Sequence, residues 1–210
     1  DFWSNIGLSE IEIYGEESDI EAAENKNHVN AAGVTAEAST TEASSLPVSN
    51  IKDGNNQTRW ASDYSEASKQ TVTVTFPKVT LVKELDFDLH TRDVAPMPSN
   101  VKSFDLVYAD AAGTEHTVKI SNAKSTESGK TGYVTNVQHI FETPVYMKSF
   151  KMTNFDLQID IEGQNGYNNI SILEVRAYSN DQSETPQGQT LDEVVASIKG
   201  TKIAKDVNEF

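Results

Sequence analysis

The stretch Ser49-Asn50-Ile51-Lys52-Asp53-Gly54-Asn55-Asn56-Gln57-Thr58-Arg59-Trp60 is the densest chemical constellation in the chain. Between Asp53 and Thr58 it gathers a carboxylate, a glycine, amide side chains and a hydroxyl. A tight loop of this make-up wraps oxygen atoms around a hard cation, and Gly54 lets the backbone turn so that carbonyls point inward. The spacing is not that of an EF-hand, which places ligands at alternate positions and closes on a Glu. An ordinary Asp-Gly turn between two strands uses the same residues, and the segment alone leaves both readings open.

Other chemistries find little support. The chain has no G-x-S-x-G elbow, no phosphate-binding P-loop and no H-E-x-x-H pair. It has no cysteine, which removes disulfides, thiolate nucleophiles and thiolate metal sites together, and its four scattered histidines argue against a zinc hydrolase. Carboxylates are abundant enough that spacing alone leaves a glycosidase pair open. A short-looped sandwich offers little room for a deep cleft, so the chain reads as non-catalytic.

The elements that must position these residues are β-strands. Thr71 to Phe76 alternates at period two, and Leu85 to His90 does so more sharply, with Leu85, Phe87 and Leu89 on one face. Asp86, Asp88 and His90 fall on the other, which reads as a solvated face. Phe104 to Tyr108 repeats the pattern. Short strands broken by Gly, Pro, Asn and Ser turns, without a helical period between them, point to an antiparallel sandwich from about Val29 to Tyr178.

Composition divides the 210 residues further. Residues 1–27 form an N-terminal segment ending in a charged linker, 28–179 the sandwich, and 180–210 a polar linker and a short helix. Thr190 and Glu193 fit a capping box, and Leu191, Val194, Val195 and Ile198 follow at helical spacing. Residues 5–14 (NIGLSEIEIY) echo 169–178 (NISILEVRAY) at a constant offset, 174 − 10 = 164. This echo reads as the last strand of a preceding module of the same kind, hence a parent with neighbouring modules in one polypeptide.

Charge narrows the partners. Seventeen Lys and Arg against 32 Asp and Glu give 17 − 32 = −15, a surface that repels phosphate backbones and anionic headgroups. Nucleic acid and membrane are therefore poor partners, and no apolar run reaches the ~18 residues of a membrane span.

The motif D-G-x-x-x-T-R-W at 53–60, the alternating strand after it and x-x-E-V-x-A-Y at 172–178 together resemble the discoidin, or coagulation factor five/eight C-type, domain. Its bacterial branch is the family 32 carbohydrate-binding modules, and the similarity spans about residues 28–179. The resemblance implies an all-β, galactose-binding-domain-like jelly-roll sandwich; the short C-terminal helix would follow it. It also implies one structural Ca2+, held by the carbonyls of Asn50, Asn55 and Leu173, the carboxylates of Asp53 and Glu174, and the carbonyl and hydroxyl of Thr58. That is about seven oxygens, within the ~6–8 that Ca2+ takes.

For a sugar, the resemblance implies end loops in which an aromatic face meets C–H groups and polar side chains meet hydroxyls. Three segments supply candidates: Asp63 and Tyr64 after Trp60; His90, Arg92 and Asn100; and Tyr167 on an Asn/Gly-rich loop. Arg92 and Asn100 are the nearest counterparts of the family's hydroxyl-gripping pair, although their separation, 100 − 92 = 8, is longer than usual. Ala61 stands where galactose-binding relatives tend to carry His, which favours another hexose such as an N-acetylated amino sugar. Each candidate has a plainer reading: Tyr167 as a loop anchor, Arg92 paired with Asp93, His90 solvated and Trp60 in the core.

The expectation is a calcium-stabilised, non-catalytic module of a secreted or cell-surface bacterial glycoside hydrolase. It would target the enzyme to terminal galactose- or N-acetylhexosamine-type sugars of host glycans, with a Kd on the order of 0.1–1 mM. The alternative is a protein-interaction or spacer module that binds no sugar. Phospholipid binding through Val94-Ala95-Pro96-Met97-Pro98 is opposed by the net charge.

Overall fold

In a computed structural model, residues 26–91, 100–110, 112–123, 133–158, 160–161, 164–165 and 168–180 are described. The N-terminal echo, the loop at 94–98 and the capping-box helix lie outside these residues. The strands are β1 (Thr35–Ala38), β2 (Trp60–Ala61), β3 (Val72–Thr91), β4 (Asn100–Ala109), β5 (Glu115–Ser121), β6 (Tyr133–Gln158), β7 (Asp160–Ile161), β8 (Gln164–Asn165) and β9 (Ser171–Tyr178), with one short 3-10 turn before β1 and two more between the first three strands. No helix among the described residues is long and apolar enough to cross a membrane.

The fold is a jelly-roll β-sandwich in which the strand pairings among the described residues are antiparallel. Its two layers share their longest strands. The start of β3 pairs with β1 and with the end of β6, which also pairs with β4, and β4 with β5. The end of β3 pairs with β9 and with the start of β6, while β2 pairs with β9. The expectation of short strands is corrected here: β3 runs 20 residues and β6 runs 26. Pro77 and Pro144 lie inside these strands where the register shifts, between Thr75 and Thr80 and between Val82 and Glu84. A bulge leaves residues unpaired, so it accommodates a proline without a ladder donor and lets one strand bend from one layer into the other.

The period-two pattern explains the core. Val72, Val74 and Phe76 point inward from the start of β3, and Leu85, Phe87 and Leu89 from its end; all six are at most 1% exposed. Between the layers a chain of aromatic contacts runs Phe76–Phe150–Phe87–Phe104–Phe155. Its centre is an edge-on contact of Phe87 with Phe104, centroids 5.0 Å apart at 75°. Each such ring contributes ~2–3 kcal/mol through burial.

The face of β3 opposite the core is not solvated as its alternation suggested. Glu84, Asp86 and Asp88 are buried, and His90 is half-buried. The neighbouring strands set polar groups against them: Arg176 on β9, and Asn136 and Gln138 on β6. Glu84 and Asp88 are thus buried here by being hydrogen-bonded, not by being apolar.

Candidate functional site

Strand β9 links two polar clusters, one around Glu174 and one around Asn169. The two residues are five positions apart, about 15 Å along an extended chain.

The first cluster is built by a bulge and a loop. Asp88 pairs with Glu174 and Leu89 with Ile172, so Leu173 is an extra residue with no counterpart on β3. A bulge of this kind frees Leu173 from the ladder and re-aims its neighbour. Facing it is the loop after the 3-10 turn Val48–Lys52, where Asp53 is in the right-handed region and Gly54 has φ +74°. The backbone N–H of Asn55 donates to Asp53 Oδ1 at 2.8 Å and to Glu174 Oε1 at 3.0 Å. Two carboxylates from distant parts of the chain therefore share one donor. Thr58 Oγ1 stands 2.7 Å from Asp53 Oδ2 and 2.8 Å from the Asn55 carbonyl, and the Asn50 amide closes the loop by donating to the Arg59 carbonyl at 2.8 Å.

The carboxylates ionise unequally. Burial, followed by the adjoining Asp53 carboxylate, pushes Glu174 up to about 7. Asp53 lies below its ordinary range; desolvation pushes the other way, and hydrogen bonds from Thr58 and Asn55 outweigh it. Glu174 is 2% exposed while Asp53 faces solvent, so the cluster pairs a buried, partly protonated carboxyl with an exposed carboxylate at neutral pH. Two carboxylates, a hydroxyl and loop carbonyls form an all-oxygen donor set, which suits a hard divalent cation. Among the described residues no group of three or more His, Cys, Asp or Glu could hold a metal ion, so a cation here would depend on carbonyls to complete its shell. The structure thus brings together Asp53, Asn55, Thr58 and Glu174, with Asn50 bracing the loop and Leu173 released by the bulge.

Gly54 gives the loop a direct test. A Cβ there would sit 3.0 Å from Asn30 Nδ2, on a backbone that L-residues rarely adopt. Gly54→Ala is expected to cost about 1–2 kcal/mol in urea unfolding.

The second cluster forms where β2 ends. Trp60 is fully buried and donates its indole N–H to the Thr40 carbonyl at 3.1 Å, while Glu42 N donates to the Ala61 carbonyl at 2.9 Å. These bonds hold residues 40–42 beside β2. Tyr64, 50% exposed, donates its hydroxyl to Glu42 Oε1 at 2.6 Å. Asn169 Nδ2 donates to Glu42 Oε2 at 3.2 Å and to the Ser62 carbonyl at 3.4 Å. Asp63 stands next to them, its Oδ1 accepting from Ser65 N at 2.9 Å and from Gln70 Nε2 at 3.4 Å. Hydrogen bonds from Ser65 lower its pKa, so Asp63 is an anion at any neutral pH.

Of the sugar candidates, Asp63 and Tyr64 therefore belong to one cluster. Asn100 does not meet the expectation of a surface contact: it opens β4 opposite Gln158 and is 1% exposed, because its position belongs to the sheet and not to a loop. His90 pairs with Val134 in the β3–β6 ladder. Arg92 and Tyr167 lie outside the described residues. Two members, Glu42 and Asn169, were not anticipated. Asn169 carried a faint signal, as the first residue of the stretch echoed by residues 5–14; Glu42 sits in a Ser/Thr-rich run without periodicity and carried none.

Residues 35–175 match the domain family described as F5/8 type C domain. No curated protein matches the sequence. Among solved structures, the chain is similar to the family 32 carbohydrate-binding module of Clostridium perfringens NanJ in complex with galactose. The identity is 20% and the TM-score 0.49, covering 69% of this chain and 93% of that one. It is also similar to a family 32 module from a family 31 glycoside hydrolase of C. perfringens, at 18% identity and TM-score 0.49, covering 70% and 94%. A third is chitosan-binding module 1 of a chitosanase/glucanase from Paenibacillus sp. IK-5, at 20% identity and TM-score 0.45, covering 69% and 93%.

Proposed function

Since the chain belongs to the F5/8 type C domain family, we propose that it is a non-catalytic carbohydrate-binding module whose ligand sits on the Tyr64–Glu42–Asn169 cluster. The observation that carries this reading is an exposed aromatic ring beside the half-buried Glu42 carboxylate, which the buried Asn169 amide braces from beneath. A ring face packs on sugar C–H groups, and fixed polar groups meet hydroxyls without first losing rotamer freedom. Asp63 lies at the rim, and Arg92 and Tyr167 are the further candidates that the family resemblance implies. The ligand class is a terminal neutral hexose, galactose- or N-acetylhexosamine-type.

The Asp53–Glu174 cluster is proposed to hold one structural Ca2+, with carbonyls of Asn50, Asn55 and Leu173 and both oxygens of Thr58 as further ligands. A bound ion would neutralise two carboxylates and tie the 53–58 loop to β9. In this reading the module belongs to a secreted or cell-surface bacterial glycoside hydrolase and raises that enzyme's effective concentration at host glycans.

A glycan array on the whole chain tests the sugar reading. Binding to a defined set of terminal sugars is expected, with a Kd on the order of 0.1–1 mM by calorimetry. Tyr64→Ala should weaken it about tenfold or more with the fold intact. An array without binders would favour a spacer or protein-interaction role, and binding indifferent to Tyr64 would move the site elsewhere.

A further inference from the structure

The outer face of β3 carries a strip of carboxylates that runs into the Asp53–Glu174 cluster. Glu84, Asp86 and Asp88 point the same way and are 0%, 6% and 8% exposed. Across from them on β9, Arg176 stands opposite Asp86 and Glu174 opposite Asp88. Four carboxylates thus share a face with one guanidinium. Like charges directly opposite on neighbouring strands repel, so Asp88 and Glu174 are a costly pair unless something stands between their fields.

Arg176 is placed to do this, and its position is asymmetric. Its Nη1 reaches diagonally to Asp88 Oδ2 at 2.7 Å, while its Nε stays 3.7 Å from Asp86 Oδ2. Asp86 Oδ1 is left buried without a hydrogen-bond partner. The guanidinium is therefore drawn away from its own cross-strand partner and toward the residue facing Glu174. The other Asp88 oxygen accepts from Asn136 Nδ2 at 2.7 Å, which fixes Asp88 from both sides.

Resting on the reading of Asp53 and Glu174 as a cation site, we propose that Arg176 is a positioning residue that sets how tightly that site holds a divalent cation, by cancelling the charge of Asp88 beside Glu174. A cation on Glu174 is attracted by Asp88 across the ladder and repelled by Arg176, two residues along β9 and about 7 Å away. Asp88 is buried and Arg176 half-buried, so their fields are screened less than those of fully exposed charges. Ligand charge count is one of the levers that grade calcium affinity; here charges outside the ligand set move the same lever.

The sign of the effect separates this role from structural support. Calcium is titrated calorimetrically into the cation-stripped whole chain, with thermal unfolding of each variant as a fold check. Arg176→Gln is expected to tighten Ca2+ binding about tenfold and Asp88→Asn to weaken it about tenfold. The double variant, restoring the local charge balance, should return to within about threefold of the parent, as should Arg176→Lys. Added salt should shrink both single-variant shifts. If Arg176→Gln does not fold without cation, the Asp88→Asn, Arg176→Lys and double variants decide. Loss of affinity in both single variants, or no change in either, overturns the proposal while leaving the cation site standing. A parent chain that takes up no Ca2+ overturns both.

Discussion

Stripping divalent cations with EDTA at pH 8 is expected to lower the melting temperature by about 5–10 °C, and Glu174→Gln to abolish that response. The Asn55 N–H donates to both the Asp53 and Glu174 carboxylates, which places them where one ion can replace that shared donor's role. An ion present at about a hundred times its Kd stabilises by roughly 2.7 kcal/mol, and a domain of this size shifts about 2–4 °C per kcal/mol.

Without the cation, pH takes over the same role. Glu174 is pushed up to about 7 in the folded chain from an ordinary value of 4.5. The folded state therefore binds more protons than the unfolded state between these two values. Stability from this group is fully present below about 4.5 and is lost as pH rises through about 7. The loss is on the order of 2–3 kcal/mol, and excess Ca2+ should erase it because the ion replaces the proton. In EDTA at pH 8, Glu174→Gln should equal or exceed the parent in stability, because a neutral amide relieves the like-charge pair. A parent melt indifferent to EDTA and flat from pH 4.5 to 7.5 would remove the cation site from the account.

The second large effect concerns Trp60, which serves core and rim at once. Its indole is fully buried and its N–H is bonded to the Thr40 carbonyl. Trp60→Ala removes the largest fully buried side chain and leaves a cavity, at about 3–5 kcal/mol in chemical denaturation. Trp60→Phe keeps most of the volume but orphans the Thr40 carbonyl, at about 1–2 kcal/mol. Because the 40–42 segment is held by that bond, the Phe variant should also weaken sugar binding, although residue 60 touches no ligand. A cost below about 1 kcal/mol for Trp60→Ala would contradict the packing described.

The alternation of β3 shows how much of the fold was legible and where legibility stopped. Val72, Val74, Phe76, Leu85, Phe87 and Leu89 were readable as one buried face, since side chains alternate across any strand. That Phe76 and Leu85 lie on a single strand that bends between layers was not readable: Pro77 looks like a terminator until the bulge that tolerates it is seen. Asp86 and Asp88 were misread as solvated for a related reason. Alternation says which residues share a face, and cross-strand partners 50 or 90 residues away, such as Asn136 and Arg176, say whether that face is wet.

The candidate sites divide in the same manner. Turn chemistry and period-two patterning alone determined a β-sandwich and an oxygen-rich loop at Asp53 to Thr58, because those signals are local, and the resemblance of short motifs pointed to the family. Only the tertiary structure decided that the Asp53 and Glu174 carboxylates meet on one amide, that Asn100 is buried and that Glu42 and Asn169 join Tyr64. Those facts depend on strand register and on one extra residue at Leu173, and register is fixed by how the layers pack, which no short window of sequence contains.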